Sequence, residues 1–328
     1  MRRTLGYVLL STLLFSSMEI ALKLAGASFG TLQLNFLRFL IGGVVLAPFA
    51  LHAVHANKLR LLPHLPLFLA TGLVCVLISM TLYQLAVIAA PAATVAVIFS
   101  INPVFALLFS FLILHEHLSR TSIISVVISV IGLLVIINPA HLSNPGGLLL
   151  ALSSAVTFGL YSILSRRGSQ KYGYNGITMT AFTFIAGALE LLVLIGLSYL
   201  PFTARLFAGS PQLAASFVRV PIIAGISWTH LPLLAYIGIG VTGLGFAFYF
   251  LAMERSDVST ASLVFFIKPG LAPIMAAIIL SEQITTTTII GVVIILIGSV
   301  ISFINQEFME RVGAMLPFHS HHNHMLPH

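Results

Sequence analysis

The sequence predicts an all-α membrane protein of ten transmembrane helices, arranged as two inverted repeats of five helices each. Three observations predict it. Hydrophobic residues make up 59% of the 328 and charged residues only 7%, with a mean hydropathy of +1.09. A chain so poor in charge must lie in lipid or against other lipid-embedded helices, and no soluble domain fits in the remainder. Ten apolar runs, 5–24, 31–51, 65–87, 92–114, 120–138, 147–165, 177–200, 231–252, 258–280 and 286–304, approach the roughly 20 residues that an α-helix needs to cross about 30 Å of hydrocarbon. Finally, landmarks return at one offset. Tyr83, Phe99, Pro103, Ala106, Glu116 and Gly132 become Tyr249, Phe265, Pro269, Ala272, Glu282 and Gly298, since 249 − 83 and 298 − 132 are both 166.

The first run follows Arg2 and Arg3 in the manner of a signal peptide, but Glu19 and Lys23 close it without a small-residue cleavage pattern and further spans follow. The fifth run ends at Asn138-Pro139-Ala140-His141-Leu142-Ser143-Asn144-Pro145-Gly146, whose prolines and glycine break helices. This marks a first repeat over 1–138, a linker over 139–146, a second repeat over 147–305 and a His-rich tail over 306–328. Helices one and six align through Phe15 with Phe158 and Lys23 with Arg166, at an offset of 143. The difference, 166 − 143 = 23 residues, fits between helices seven and eight, over about 201–230. That insertion carries Pro201, Pro211, Pro221 and Trp228 and reads as an interfacial segment on the outer side, because Trp anchors at the headgroup level.

Orientation follows from the loops. With the amino terminus inside, the inner segments hold Arg2, Arg3, Lys58, Arg60, Arg120, Arg166, Arg167, Lys171, Arg255 and Arg311, against Lys23, Arg205 and Arg219 outside. Ten against three predicts both termini cytoplasmic in a multi-pass protein of the cell membrane. Five helices per repeat is an odd number, so the second repeat enters the membrane from the opposite side. Inverted repeats are the usual construction of secondary transporters, in which two halves rock about a central site. The pI near 9.9 reflects cations spread over short loops, which suits topology and lipid headgroups rather than nucleic acid. One cysteine, Cys75, excludes disulfides and Cys-type zinc sites.

The run Phe15-Ser16-Ser17-Met18-Glu19-Ile20-Ala21-Leu22-Lys23, with Leu37-Arg38-Phe39 in the second span, resembles the first half of an EamA-type domain of the drug/metabolite transporter superfamily. Pro103 with Glu116, and Pro269 with Glu282, resemble the proline-helix-glutamate signature that ends that family's fourth and ninth helices. The resemblance covers about residues 4–305 and departs from the family's usual Trp-Gly at Phe15-Ser16. It implies ten helices around a central cavity and export of amino acids or similar small metabolites.

Ionisable groups inside a span cost at least about 2.5 to 3.5 kcal/mol each on insertion scales, so they face a cavity or a partner. Four qualify, Glu19, Arg38, Glu190 and Lys268. Two acids and two bases suit a cavity for a zwitterion, and equally suit internal salt bridges, with Glu19 and Arg38 on adjacent helices the nearest such pair. Lys268 lies ten residues into its run, about 15 Å at the helical rise and so near the midplane. It reads as a contact for substrate or coupling ion, or as a fixed counter-ion to Glu190. Pro269 follows it, and the repeat partners are Asn102 and Pro103, so both helices are expected to kink and to present Asn102 and Lys268 across a pseudo-two-fold axis. Tyr83, Tyr249 and Tyr161 either line a pathway or pack. Glycines such as Gly42, Gly43, Gly132 and Gly298 are expected to allow close helix contact. Inverted topology separates Glu116 and Glu282 to opposite faces, where they are expected to work at helix ends, joining the connections to helices five and ten.

Enzyme signals fail on context. Gly26-Ala27-Ser28-Phe29-Gly30 matches G-x-S-x-G but joins two apolar spans, whereas a nucleophile elbow needs a strand entering. His115-Glu116-His117 misses zincin spacing, since Ser119 stands four after His115. The tail His319, His321, His322, His324 and His328 reads as a pH-sensitive cytoplasmic segment rather than a metal site. The reading is therefore a secondary transporter needing no cofactor and no metal, with a small molecule and membrane lipid as partners, exporting amino-acid-like or amphipathic metabolites by alternating access. The alternatives are drugs or organic anions drawn by Arg38 and Lys268, a membrane enzyme, or a non-transporting interaction protein.

Overall fold

The computed structural model describes residues 2–115, 120–137, 144–255 and 258–315, and every regular element among them is helical. Helices that continue through a break or a π turn share one label here. They are α1 (Arg2–Ser16 and Met18–Ala25), α2 (Thr31–Ala56), α3 (Leu65–Gly72, a π turn Leu73–Ser79, Met80–Ala89) and α4 (Ala92–Phe99, Asn102–Phe109, a π turn Ser110–Leu114). Then come α5 (Arg120–Ile137), α6 (Pro145–Tyr172) and α7 (Gly176–Leu197). Two short helices, Pro201–Leu206 and Pro211–Phe217, lie in the insertion before α8 (Leu231–Ala235, a π turn Tyr236–Leu244, Gly245–Arg255), α9 (Val258–Leu280) and α10 (Thr286–Met315). Seven spans among the described residues are long and apolar enough to cross a membrane, and shorter apolar helices occupy Ile123–Ile137, Ile267–Leu280 and Thr286–Gly298.

Local chemistry explains the helix ends. The Asn144 and Asn175 side chains accept hydrogen bonds from the Gly147 and Thr178 N–H groups, capping α6 and α7. Gly173, at φ 73°, closes α6 in the left-handed conformation. The distribution of side chains is that of a protein solvated by lipid. Ile123, Val127, Ile131, Ile290, Val293 and Ile297 point outward. Polar groups point inward and bond across helices, as Thr71 does to Thr183 at 2.8 Å, Ser79 to the Ser154 carbonyl at 2.9 Å and Ser125 to the Gly298 carbonyl at 2.6 Å.

The helix pairs reproduce the sequence repeat. α2 packs on α7, α5 on α10 and α4 on α9, while α3 on α6, α4 on α6 and α2 on α8 have their images in α8 on α1, α9 on α1 and α7 on α3. Exchanging the two halves maps this set onto itself. The contacts repeat in detail: Gly72 lies against Ala186 and Gly187 as Gly238 lies against Ile41, and Gly132 meets the Gly291 carbonyl as Gly298 meets the Ser125 carbonyl. Phe39 of α2 and Phe184 of α7 meet edge to face, 4.8 Å between centroids. The π turns of α3 and α8 fall at overlapping repeat positions, and His115 and Ser281, 166 residues apart, both adopt left-handed backbone with φ of 57° and 54°.

A Cβ on Gly187 would stand 2.3 Å from the Val76 Cβ, whereas one on Gly196 of the same helix would meet nothing within 4 Å. Gly187→Ala is therefore expected to cost about 1–3 kcal/mol through overpacking, read as a lower melting temperature in detergent, while Gly196→Ala leaves the melting temperature unchanged or raises it.

Candidate functional site

The centre of the bundle holds a buried ion pair. α1 breaks at Ser17, whose hydroxyl donates to the Leu14 carbonyl, and the second half of the helix carries Glu19 in its first turn. The Lys268 Nζ of α9 stands 2.8 Å from Glu19 Oε1, with the two side chains 3% and 1% exposed. The Tyr83 hydroxyl of α3 donates to the same oxygen. Glu19 Oε2 is buried with no hydrogen-bond partner among the described residues. Beneath the pair runs an aromatic floor: Lys268 Nζ lies 5.3 Å from the Phe99 ring centroid, Phe99 packs on Tyr83 and Phe158, and Phe158 on Tyr161.

Arg38 of α2 is fully buried next to this pair's helix and has no carboxylate partner among the described residues. Its Nε donates to Asn35 Oδ1 at 2.9 Å, Nη1 lies 3.9 Å from the Met18 sulfur, and the guanidinium sits 4.4 Å from the Phe39 ring centroid. Asn35 is held in turn by donating to the Met80 carbonyl at 2.9 Å. Among the described residues Arg38 Nη2 has no hydrogen-bond partner, and Ser16 Oγ and Gln84 Oε1, also on the three helices α1 to α3, are buried and unpartnered as well. The centre thus carries two cations and one anion, with a spare donor on Arg38 and a spare acceptor on Glu19.

Glu19 pairs with Lys268 rather than with Arg38, and the alternative of Lys268 as a counter-ion to Glu190 gives way to the same pair. The reason is packing: α1 lies along α9, which brings the two charges together, while Asn35 and Phe39 hold Arg38 within its own helix. Glu190 is half-buried on α7 between outward-facing Leu189 and Val193, with Oε2 unpartnered. Asn102 does not reach the pair. Its Nδ2 donates to the Phe99 carbonyl at 2.8 Å, the carbonyl that Pro103 leaves without an N–H. The helix is interrupted there, between Phe99 and Asn102, whereas α9 runs without interruption through Pro269. Tyr249 packs near Phe15, 6.5 Å between centroids. Glu116 and the tail histidines lie outside the described residues. The sequence marks Phe99 only as a repeat landmark and does not mark Asn35 as a site residue; the spacing of Asn35 three before Arg38 is the signal that could mark it.

Glu282 caps a different helix from the one expected. Its Oε1 accepts from Lys23 Nζ at 2.7 Å and from the Ala92 N–H at 2.9 Å, and its Oε2 accepts from the Ala93 N–H at 3.1 Å, so it closes the amino-terminal end of α4. Lys23 also donates to the Ala90 carbonyl at 3.1 Å. Burial opposes ionisation of Glu282, but the Lys23 ammonium and the two amide N–H groups outweigh it and hold the carboxyl below its usual 4.5. Near the same face, Ser28 Oγ lies 3.0 Å from His230 Nε2, and His230 Nδ1 faces the Gly225 carbonyl at 2.9 Å. Among the described residues no acid orients this imidazole and no strand leads into the turn, so the contact docks the insertion on the α1–α2 turn.

Removing one partner of a buried ion pair strands the other charge. Glu19→Gln is expected to cost about 3–5 kcal/mol, and Glu19→Gln with Lys268→Met to recover most of it; thermal unfolding in detergent reads both. For Glu282 the lowered carboxyl contributes stability that is complete above the unfolded value and is lost as pH falls through the folded one. The stability difference between the protein and Glu282→Gln is expected to be flat from about pH 8 to about pH 5 and to shrink below about pH 4.

A profile of the EamA-like transporter family matches residues 2–138 and again 145–304. A protein of Clostridium kluyveri named as an uncharacterized transporter is 33% identical over 317 residues, covering 94% of this chain and 95% of that protein. A probable terminal-alkyne amino-acid exporter of Streptantibioticus cattleyicolor is 23% identical over 310 residues, covering 93% and 94%. A crystal structure 20% identical to this chain has the same fold, with a TM-score of 0.60 over 93% of this chain and 98% of that one. With both halves matched and a relative this similar along nearly its whole length, the chain belongs to the EamA-like transporter family of the drug/metabolite transporter superfamily.

Proposed function

We propose that this protein is a secondary transporter of ten spans, built as inverted repeats over about 1–138 and 147–305, that exports small amino-acid-like metabolites by alternating access. The observation that carries the substrate class is the fully buried Arg38, whose Nη2 has no partner, on a helix beside Glu19, whose Oε2 has none. A spare guanidinium donor suits a carboxylate, and a spare carboxylate oxygen suits an ammonium. The tyrosine and phenylalanine floor offers an apolar surface for a side chain. The exporter from Streptantibioticus supports the same class at low identity. The self-mapping set of helix pairs supports rocking of two halves, and the excess of basic residues in alternate loops supports cytoplasmic termini. The insertion, with Phe202, Ile223 and Trp228 exposed, reads as an outer interfacial lip.

One observation favours a second reading. Two cations against one anion leave the centre with an excess positive charge, which an organic anion without an ammonium would neutralise. Counterflow in proteoliposomes separates the two when pooled amino acids and pooled organic anions are loaded in turn. Saturable exchange of amino acids is expected, with Lys268→Ala lowering it at least about tenfold, the effect of losing a contact of roughly 1.4 kcal/mol in the rate-limiting step. Exchange of anions alone selects the second reading. Full exchange by Lys268→Ala, with insertion intact, removes Lys268 from the site.

A further inference from the structure

The outer ends of α1, α4 and α9 are joined by a polar clasp that neither solvates the solute site nor belongs to the rigid contacts between the halves. We propose that Lys23, Glu282 and the first amides of α4 form the outer gate of the transport path, closed in this structure. The inference rests on the alternating-access reading above.

Four observations carry it. The three helices joined by the clasp are those that carry the centre: α1 holds Glu19, α4 holds Phe99 and α9 holds Lys268. Lys23 is one turn beyond Glu19 on the same helix. The clasp also crosses between the repeats, since α1 and α4 belong to the first and Glu282 follows α9 of the second. Below the clasp lies an apolar seal, Ile20, Ala92, Ala93 and Ala276 with Met275 and Leu280 packed against them, which forms a cluster of its own apart from the main core.

Three of the seal's four buried members are alanines, which bury less apolar surface than larger side chains, so the polar clasp above them shares in holding the closed state. The contact of α5 with α10 is of the opposite kind. There Gly132 meets the Gly291 backbone and a Cβ on Gly291 would stand 2.3 Å from Ile136, so those helices pack backbone to backbone. The backbone aims Glu282 as well. Ser281 is left-handed, with φ of 54°, and turns the chain at the end of α9 so that the carboxylate reaches back over α4. A carboxylate that accepts from an ammonium and two amides joins three helix ends at once, and loss of its charge frees the end of α9 from the other two, while Lys23 keeps its bond to the Ala90 carbonyl.

Thiol accessibility tests this in the full-length protein. Cys75 is the one cysteine, so Cys75→Ala gives a silent background into which Ser16→Cys places a buried thiol one turn before Glu19. A membrane-impermeant methanethiosulfonate is added on the side that carries the α1–α2 turn. Glu282→Gln and Lys23→Met are each expected to raise the labelling rate about tenfold, a one-decade shift of the closed–open balance, while Glu282→Asp, which keeps the carboxylate, labels as slowly as the parent. Unchanged rates in both Glu282→Gln and Lys23→Met overturn the gate. So does Glu282→Asp labelling as fast as Glu282→Gln, since the charge is then not what holds the ends together. Failure of the transport reading is seen elsewhere, as absent counterflow by the parent protein.

Discussion

A charge held among lipid-embedded helices needs another charge or a strong dipole beside it, and the architecture of this protein follows from where it meets that need and where it leaves it unmet. Glu19 and Lys268 satisfy each other at 2.8 Å, and in doing so tie the first helix of one repeat to the fourth helix of the other. Tyr83 adds its hydroxyl from a third helix. Glu282 is satisfied by Lys23 and by two backbone amides at a helix end. Arg38 is the exception, for its guanidinium has an amide, a sulfur and a ring around it but no anion among the described residues. An unpaired buried cation is costly to fold around, and a solute that brings the missing anion turns that cost into binding.

The scaffold makes such a centre tolerable. Glycines on α2, α3, α7, α8, α5 and α10 let backbones approach to the point where a Cβ would collide, and these approaches recur in the two halves of the chain. Those tight contacts bind α2 to α7 and α5 to α10. The helices that carry the candidate site meet at their ends through a small cluster of Ile20, three alanines, Met275 and Leu280 under one polar clasp. Stiff contacts between some helices and separable ones between others are what a two-state transporter requires of its packing.

Much of this was legible in the residues. The offset of 166 paired Gly132 with Gly298 and Tyr83 with Tyr249 before any contact was known, and the cost of ionisable groups in lipid singled out Glu19, Arg38, Glu190 and Lys268. Their partners were not legible. Whether Lys268 meets Glu19 or Glu190 depends on which helices cross and at what depth, which no local pattern records. Asn102 shows a second limit: polar-then-proline reads as a site, yet here the amide repairs the carbonyl that Pro103 orphans. The repeated Pro and Glu marked Glu282 as a helix-end residue but not the helix, because the end it caps belongs to the other repeat. The symmetry also misleads where the two halves have diverged, since Tyr83 serves Glu19 and Tyr249 packs near Phe15.

The central claim is that the solute supplies the anion Arg38 lacks. The most direct measurement is the melting temperature of the purified protein against increasing amino acid, beside the same titration of Arg38→Met. The account predicts that a zwitterionic amino acid stabilises the parent in a saturable way and leaves Arg38→Met unmoved, because ligand binding to the native state raises stability only where the site exists. An equal, saturable rise in both proteins would contradict it.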